Sequence, residues 1–160
     1  MQISPSARDL FFFQLAKTPD DLLFSFKIKR AAIGPYVEEK WGWDDDFQLA
    51  VHRRHFDEKP FFAIELEQER IGTVSLFKLD RFIRFGEFYI APTRQNQGLG
   101  TRILNHCLEI ADGLRLPVHL EYLKWNPVGN LYKRHGFEII GETDIHWLMV
   151  RPANLLSKNF

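Results

Sequence analysis

The residues best suited to chemistry begin with a glycine-containing loop, Arg94 to Thr101, which follows a predicted strand and precedes a predicted helix. Its two glycines, Gly98 and Gly100, let the backbone come close to a bulky anion. The free N–H groups in the first turn of the following helix then point at that anion, and the helix dipole favours negative charge there. The loop therefore predicts a pyrophosphate site, with an ordinary strand–helix turn as the alternative.

Two other kinds of phosphate loop do not match this segment. A dinucleotide fingerprint requires a third glycine, and the chain has Ile103 at that position. A Walker loop requires Gly-Lys followed by Ser or Thr, which does not occur in the chain. An unrelated nucleotide-binding domain is therefore disfavoured.

A second segment of interest opens at Asn126 with Asn-Pro and continues through Leu131-Tyr132 to Gly136-Phe137. The loop pattern Gln95-x-x-Gly98-x-Gly100 resembles the Q/R-x-x-G-x-G/A signature of the GNAT superfamily of acyltransferases. The second segment resembles the N-P, L-Y and G-F signature of the same superfamily. The two segments occur in the family's order, and the resemblance covers about residues 60–150.

The resemblance implies a co-substrate and a fold. It implies an N-acyltransferase that uses acetyl-CoA, on a mixed α/β (α+β) GNAT fold whose mostly antiparallel sheet has helices on both faces. In this fold the fourth and fifth strands, here Phe82–Ile90 and Pro117–Leu123, splay apart and admit the pantetheine arm. A splayed edge offers backbone N–H and C=O groups to an amide-containing ligand. The residues expected to bind the cofactor are Tyr89, Ile90, Gln95, Asn96, Gln97, Gly98, Leu99, Gly100, Thr101, Asn126 and Tyr132.

Acyl transfer to an amine needs a neutral amine, a polarised thioester carbonyl and a proton or charge stabilisation for the departing thiolate. The resemblance assigns the last role to Tyr132, as a general acid beside the coenzyme A sulfur. Tyr132 could instead be a packing tyrosine on a short helix. Asn126 could bind the pantetheine arm or cap that helix.

The general base has two candidates. Glu87 lies on the strand before the loop, where several family members place a carboxylate, although its register does not match every member and a bulge would change the side that it faces. A solvated Glu87 is the alternative. His146, near Glu142, is the second candidate, because an imidazole titrates close to neutral pH.

The acceptor is expected near the connection between the first two helices. Residues 36–48 include two tryptophans and five acids, and aromatic walls with acidic groups suit a cationic amine. A helix corner packed by tryptophan is the alternative. The candidate acceptor-binding residues are Trp41, Trp43, Gln48 and Glu142.

The elements that must position these residues are predicted in the order β-α-α-β-β-β-α-β-α-β-β, which counts four of the five helical segments given below. Gly34-Pro35 is expected to break the first helix, which starts at Thr18, so that a separate helical segment follows. The predicted strands are 11–16, 61–66, 71–79, 82–90, 117–123, 137–140 and 146–150, and the predicted helices are 18–32, 36–40, 44–55, a helix after Gly98 and 127–135. The helix after Gly98 is expected to bury Leu99, Ile103, Cys107, Ile110 and Leu114, which recur at spacings of three and four.

Length, charge and composition limit the classes of protein to which the chain can belong. A chain of 160 residues favours a single domain, and equal numbers of basic and acidic residues, 21 each, argue against a nucleic-acid binder. No apolar run is long enough to cross a membrane. The single cysteine, Cys107, suits a reducing compartment, so a cytoplasmic protein is expected. His52 and His55 are too few to define a metal site, and no metal is predicted.

The sequence thus predicts an N-acetyltransferase that moves an acetyl group from acetyl-CoA directly to a primary amine in a ternary complex. The expected protein is a monomer or homodimer whose partners are acyl-CoA and an amine acceptor. The alternative is a non-catalytic, acyl-CoA-binding regulatory module of the same fold.

Overall fold

A computed structural model describes Ile3, residues 6–7 and residues 9–155 of the chain. The helices are α1 (Pro19–Trp41), α2 (Asp45–Glu58), α3 (Leu99–Leu114) and α4 (Gly129–Arg134), with a single 3-10 turn at Pro92–Arg94. The strands are β1 (Ser6–Ala7), β2 (Leu10–Gln14), β3 (Phe62–Leu66), β4 (Glu69–Lys78), β5 (Ile83–Ile90), β6 (Val118–Leu123), β7 (Glu138–Glu142) and β8 (His146–Arg151). Over the described residues these strands are hydrogen-bonded in the order β1-β2-β3-β4-β5-β6-β8-β7. The predicted mixed fold is confirmed, with the addition of the short β1.

The first helix is longer than the sequence predicts. Thr18 caps it as expected, because its hydroxyl accepts a hydrogen bond from the backbone N–H of Asp21 at 3.2 Å. The prediction that Gly34-Pro35 breaks the helix, with a separate segment beyond it, was wrong, because α1 continues to Trp41. Gly34 has no Cβ to clash with the following proline ring, which is the usual reason that a helix stops before proline. Packing then outweighs the lost hydrogen bond, since α1 buries side chains on both sides of this point, Ile33 and Val37.

The β3–β4 hairpin has a tight turn. Glu67 and Gln68 both have positive φ, 53° and 65°, as a two-residue turn of the primed type requires. This geometry lets β4 begin at Glu69, two residues before the predicted start of the strand. A hydrophobic cluster of buried residues combines Leu15, Phe56 and Phe61 with Ala63 of β3.

Backbone contacts divide the described chain into two compact units. One unit contains residues 6–7, residues 9–75 and Glu87–Asn96, and therefore α1, α2, β1 to β3, most of β4 and the end of β5. The other contains Leu76–Gly86 and residues 97–155, with α3, α4 and β6 to β8. No helix in the described part of the chain is long and apolar enough to span a bilayer.

In the second of these units, β5 and β6 run parallel and pair at Ile83–Val118 and Arg84–His119, at the start of each strand. This short ladder agrees with the predicted splayed pair. β6 then pairs antiparallel with β8 along its whole length.

Helix α3 buries a face that differs in part from the predicted one. Leu99, Ile103 and Cys107 are buried as expected, but Leu114 is exposed and Ile110 is half-buried. The buried face instead includes Leu104, Leu108 and Ala111. The apolar stripe therefore runs along a neighbouring row of the helix.

Candidate active site

The glycine loop has the local geometry that an anion site requires. Gly98 is the N-cap of α3 and adopts the left-handed conformation, with φ at 77°. A Cβ placed on Gly98 would meet no atom of the described residues within 4 Å, so the backbone faces open space. Gly98 has no side chain, so it cannot cap the N–H groups in the first turn of α3, those of Leu99, Gly100 and Thr101. Negative charge is favoured at such a helix N-terminus, and the donor set fits a pyrophosphate.

The residues that lead into the loop are held by local bonds. The Gln95 side chain donates to the carbonyl of Ile90 at 2.8 Å, which ties the loop back to the end of β5. Arg94 pairs with Glu69 at 2.7 Å. Asn96 has a φ of 62°, and Asn96 and Gln97 are exposed. The Gln95 contact shows how the first residue of the motif shapes the loop.

Gly72 allows β4 to come unusually close to the backbone of Tyr89 on β5. A Cβ at Gly72 would lie 2.3 Å from the carbonyl oxygen of Tyr89, which no side chain could accept without moving the strand. The backbone N–H of Ala91 also bonds to Ile71 at 2.8 Å. Tyr89 and Ile90, both expected to contact the cofactor, are therefore fixed in the backbone by β4.

Tyr132 lies within the short helix α4, and Asn126 lies in the turn that precedes it. The Asn126 side chain accepts a hydrogen bond from the backbone N–H of Val128 at 3.1 Å, so it acts as a turn-forming residue just before α4. Tyr132 is 5% exposed. Its ring packs among aromatic rings with centroids 5.6–6.0 Å away, those of Phe85, Tyr122 and Phe137. Burial, and the neighbouring Tyr122 to a smaller extent, raise the pKa of Tyr132, so its phenol remains protonated at neutral pH.

Glu87 has an unusual backbone for a residue within a strand. Its φ is 46°, in the left-handed region that residues with a Cβ rarely adopt. Its carbonyl accepts a hydrogen bond from the Thr73 hydroxyl at 2.9 Å. Such local strain is typical of functional positions, and here it redirects the carboxylate relative to a regular strand.

The Glu87 side chain is 8% exposed and lies among basic groups. Lys59 Nζ is 3.3 Å from Glu87 Oε2, and His55 Nδ1 is 4.0 Å from the same oxygen. The other oxygen, Oε1, is buried and makes no hydrogen bond to any of the described residues. The two carboxylate oxygens therefore differ, because one is ion-paired and the other can accept a donor.

Burial and neighbouring charges determine the protonation states of Glu87 and of the basic groups around it. Burial would raise the pKa of Glu87, but the positive charges of Lys59 and Lys29 together with His55 outweigh burial, and the pKa of Glu87 is lowered. Lys29, itself 7% exposed, has its pKa lowered mainly by burial. Burial also lowers the pKa of His55, opposed by Glu87. Glu87 is consequently an anion, and the histidine is neutral, at neutral pH.

The second base candidate lies in a more open setting. His146 is half-buried, with Nδ1 3.4 Å from the Thr143 hydroxyl oxygen. Glu142 is exposed and pairs with Lys124 at 2.8 Å. The Lys124 ammonium also lies 4.5 Å from the ring centroid of Trp147. The carboxylate of Glu142 is thus already engaged by a lysine.

The predicted acceptor-binding residues have different surroundings. Trp41, the last residue of α1, is 54% exposed, and Gln48 is half-buried on α2. Trp43 donates through Nε1 to Asp45 at 2.7 Å, and its ring lies beside Gly34. Trp43 therefore supports the corner between the two helices, which leaves Trp41 as the more accessible aromatic surface.

The predicted catalytic residues belong to different units: Glu87 to one, and Tyr132 and His146 to the other. Sequence reasoning missed Lys29 and Lys59 as charge partners of Glu87. His55 and Lys59 are four residues apart, so they lie on the same side of α2 near its C-terminal end, and this spacing could have indicated that they act together. Nothing in the sequence links Lys29 to Glu87. No group of three His, Cys, Asp or Glu side chains within the described ranges could hold a metal ion.

Comparisons with known proteins identify the family of the chain. A family model described as the acetyltransferase (GNAT) domain matches residues 57–139, just over half of the 160-residue chain. A search of curated proteins finds no match.

Several solved structures share the fold. The PaiA N-acetyltransferase of Thermoplasma acidophilum, solved in complex with coenzyme A, is 14% identical with a TM-score of 0.72, over 89% of this chain and 98% of that chain. A protein of Pyrococcus horikoshii OT3 is 20% identical with a TM-score of 0.71, over 91% and 99% of the two chains. A spermidine N-acetyltransferase chimera derived in part from Vibrio cholerae is 23% identical with a TM-score of 0.64, over 90% and 95%. The match to the family model over more than half of its length shows that the chain belongs to the GNAT acetyltransferase domain family.

Proposed function

We propose that this chain is an N-acetyltransferase that moves an acetyl group from acetyl-CoA to a primary amine by direct transfer. The observation that carries this proposal is the buried Glu87 carboxylate, which has one oxygen paired with Lys59 and the other without a partner among the described residues. A buried acceptor without a donor is costly unless a ligand or water satisfies it. An amine N–H has the required chemistry.

Acetyl-CoA supplies the acetyl group as a thioester and is expected to bind through its pyrophosphate at the loop. The backbone N–H groups of Leu99, Gly100 and Thr101 are the proposed donors to the pyrophosphate. Gly98 admits this anion because it has no side chain and already adopts a left-handed backbone conformation. Gln95, bonded to Ile90, keeps the loop in register with the strand before it.

Glu87 is proposed to accept the proton that the amine releases as it attacks. A carboxylate with a lowered pKa is a weak base, so it cannot remove a proton efficiently from an alkylammonium ion with a pKa of about 10.4. Two lysines near Glu87 also make the local charge net positive when the histidines are neutral. The acceptor is therefore expected to react as the neutral amine, with kcat/KM rising with pH as more amine is deprotonated.

Direct transfer is supported by the environment of the single thiol. Burial inside α3 raises the pKa of Cys107 to about 12, so this thiol is not a nucleophile for a covalent intermediate. Tyr132 is the proposed acid that stabilises the departing thiolate. Its phenol stays protonated because burial raises its pKa, and transfer to a thiolate whose conjugate thiol has a pKa of about 8.5 is uphill. Tyr132 is therefore expected to act mainly by donating a hydrogen bond.

The donor site is tested with Gly98→Val, measured by calorimetric titration with coenzyme A. The valine would occupy the open space before the loop and would be strained at positive φ, so binding should be lost while circular dichroism stays native. Gly113→Val is the matched control, because Gly113 lies near the other end of the same helix and also faces open space. Coenzyme A binding to the Gly98 variant with unchanged affinity would remove the basis of the proposal.

The chemical step is tested with Tyr132→Phe, measured by thiol release from acetyl-CoA with a panel of primary amines. The turnover number should fall by about tenfold to a thousandfold while affinity for acetyl-CoA changes little, the pattern of a group that acts in the transition state. Turnover within twofold of the parent protein would exclude the acid role. Coenzyme A binding without turnover on any amine would favour a non-catalytic binding module.

A further inference from the structure

The Glu87 carboxylate is paired with a lysine, Lys59, to which the proposed transfer assigns no direct step. Lys59 follows the last residue of α2 and is its C-cap, with its backbone N–H bonded to the carbonyl of His55. Its ammonium lies 3.3 Å from Glu87 Oε2 and donates a hydrogen bond to it. The Lys59 side chain is 28% exposed, so the ion pair with Glu87 is partly accessible to solvent from the lysine side.

The end of α2 that presents Lys59 is itself anchored. Lys17 donates through Nζ to the carbonyls of Phe56 and Lys59, the second at 2.6 Å. Its ammonium also lies 4.5 Å from the centroid of the Phe56 ring. Basic side chains commonly bond the last carbonyls of a helix, and this contact fixes the backbone from which Lys59 reaches Glu87.

The groups that face Glu87 come from three elements. Lys29 approaches from α1, His52 and His55 from α2, and Lys59 from the end of α2, while β4 contributes the uncharged Thr73 hydroxyl. Among these groups Lys59 is the one whose charge lies within hydrogen-bonding distance of the carboxylate. It contacts Oε2 only, so Oε1 stays available.

We propose that Lys59 is a positioning residue for the reaction: its ion pair with Glu87 Oε2 keeps the buried carboxylate ionised and turned so that Oε1 can accept the amine proton. This inference rests on the proposed function of Glu87. Without the lysine, burial would act on the carboxylate with less opposition and would favour the neutral acid, which cannot serve as a base. The residue acts through Glu87 and is not itself expected to touch the substrate.

The test is a nuclear magnetic resonance titration of the Glu87 carboxyl carbon in the full chain labelled at glutamate, which needs neither substrate nor activity. Lys59→Met should raise the midpoint by about one to three pH units, the usual effect of an opposite charge at this distance. Lys59→Arg should restore most of the parent value, and Lys29→Met should give a smaller shift in the same direction. Lys27→Met is the matched control, because Lys27 is an exposed lysine of α1 and should leave the midpoint unchanged.

The second readout is the pH dependence of kcat/KM, measured below the pKa of the acceptor amine. Deprotonation of the amine makes kcat/KM rise with pH there, and the additional fall that protonation of Glu87 causes at low pH should begin at a higher pH in Lys59→Met. A folded Lys59→Met protein in which Glu87 titrates as in the parent would overturn the inference, and so would an additional fall in kcat/KM that begins at the same pH as in the parent. If Lys59→Met does not fold, Lys59→Gln serves for the same two measurements. Failure of the proposed function would be seen separately, as a parent protein that binds no coenzyme A or acetylates no amine.

Discussion

His52 makes the stability of the fold depend on pH in a way that can be calculated. Its ring is fully buried and lies against three phenylalanine rings, those of Phe26, Phe56 and Phe61. The Ser25 hydroxyl donates to the carbonyl of Leu22 at 2.8 Å, so its oxygen must accept from His52 Nε2–H at 2.7 Å. This bond selects the neutral tautomer, whose Nδ1 makes no hydrogen bond to the described residues.

Burial, followed by the nearby Lys29, lowers the pKa of His52 from 6.5 to about 4. Because the unfolded chain then binds the proton more tightly, stability is present above the unfolded pKa and is lost as the pH falls toward the folded pKa. Linkage with these two values gives a loss of about 2 kcal/mol at pH 5, compared with only about 0.2 kcal/mol at pH 7. For a chain of this size that loss corresponds to roughly 4–8 °C in Tm.

The perturbation is His52→Gln, which keeps an N–H donor for Ser25 but cannot titrate. The free energy of unfolding by urea should fall between pH 7 and pH 5 by about 2 kcal/mol more in the parent than in the variant. Below this range Glu87, whose pKa is also lowered, adds its own loss, so the comparison stops at pH 5. The other histidines whose pKa values are lowered, His55 and His119, are present in both proteins and cancel in the difference.

Ser25→Ala is the control, because it deletes the hydrogen-bond partner and leaves the imidazole, so the steep pH dependence should remain. Two results would refute the reasoning. One is a pair of parallel stability curves for the parent protein and His52→Gln. The other is an imidazole resonance of His52 that titrates near pH 6.5 in the folded protein.

Two further predictions concern the other compact unit. Gly129→Ala should destabilise the fold by about 1–3 kcal/mol, because its Cβ would lie 2.3 Å from the Tyr122 hydroxyl oxygen. Adding Tyr122→Phe should recover part of this loss. If urea unfolding shows that the effects of the two substitutions are additive, the predicted clash is contradicted. Cys107 should resist alkylation by iodoacetamide at pH 8 in the folded protein, because burial raises its pKa to about 12, and should react once urea unfolds the chain. Stoichiometric labelling of the folded protein, measured by mass spectrometry, would show that α3 opens or that the thiol is accessible.

The sequence alone was sufficient for the features that depend on local chemistry. The glycine loop, the Thr18 cap, the hairpin after Pro60 and the order of most strands follow from residue types and short spacings, because turns, caps and alternating patterns involve neighbouring residues. The two short motifs were sufficient to predict the family, since each lies between the expected elements. The same reasoning failed at Gly34-Pro35, where the local rule for a helix end was overridden by burial on both sides of the proline.

Only the tertiary structure decided the state of the candidate base. Glu87 is an ordinary glutamate in the sequence, and its character comes from Lys29, His55 and Lys59, which are 28 or more residues away along the chain. The bend at Glu87 depends on strand pairing, and the tautomer of His52 depends on Ser25, 27 residues earlier. Electrostatic fields and buried hydrogen bonds act through space, so residues that are remote in sequence determine the charge of each titratable group and the side that it faces.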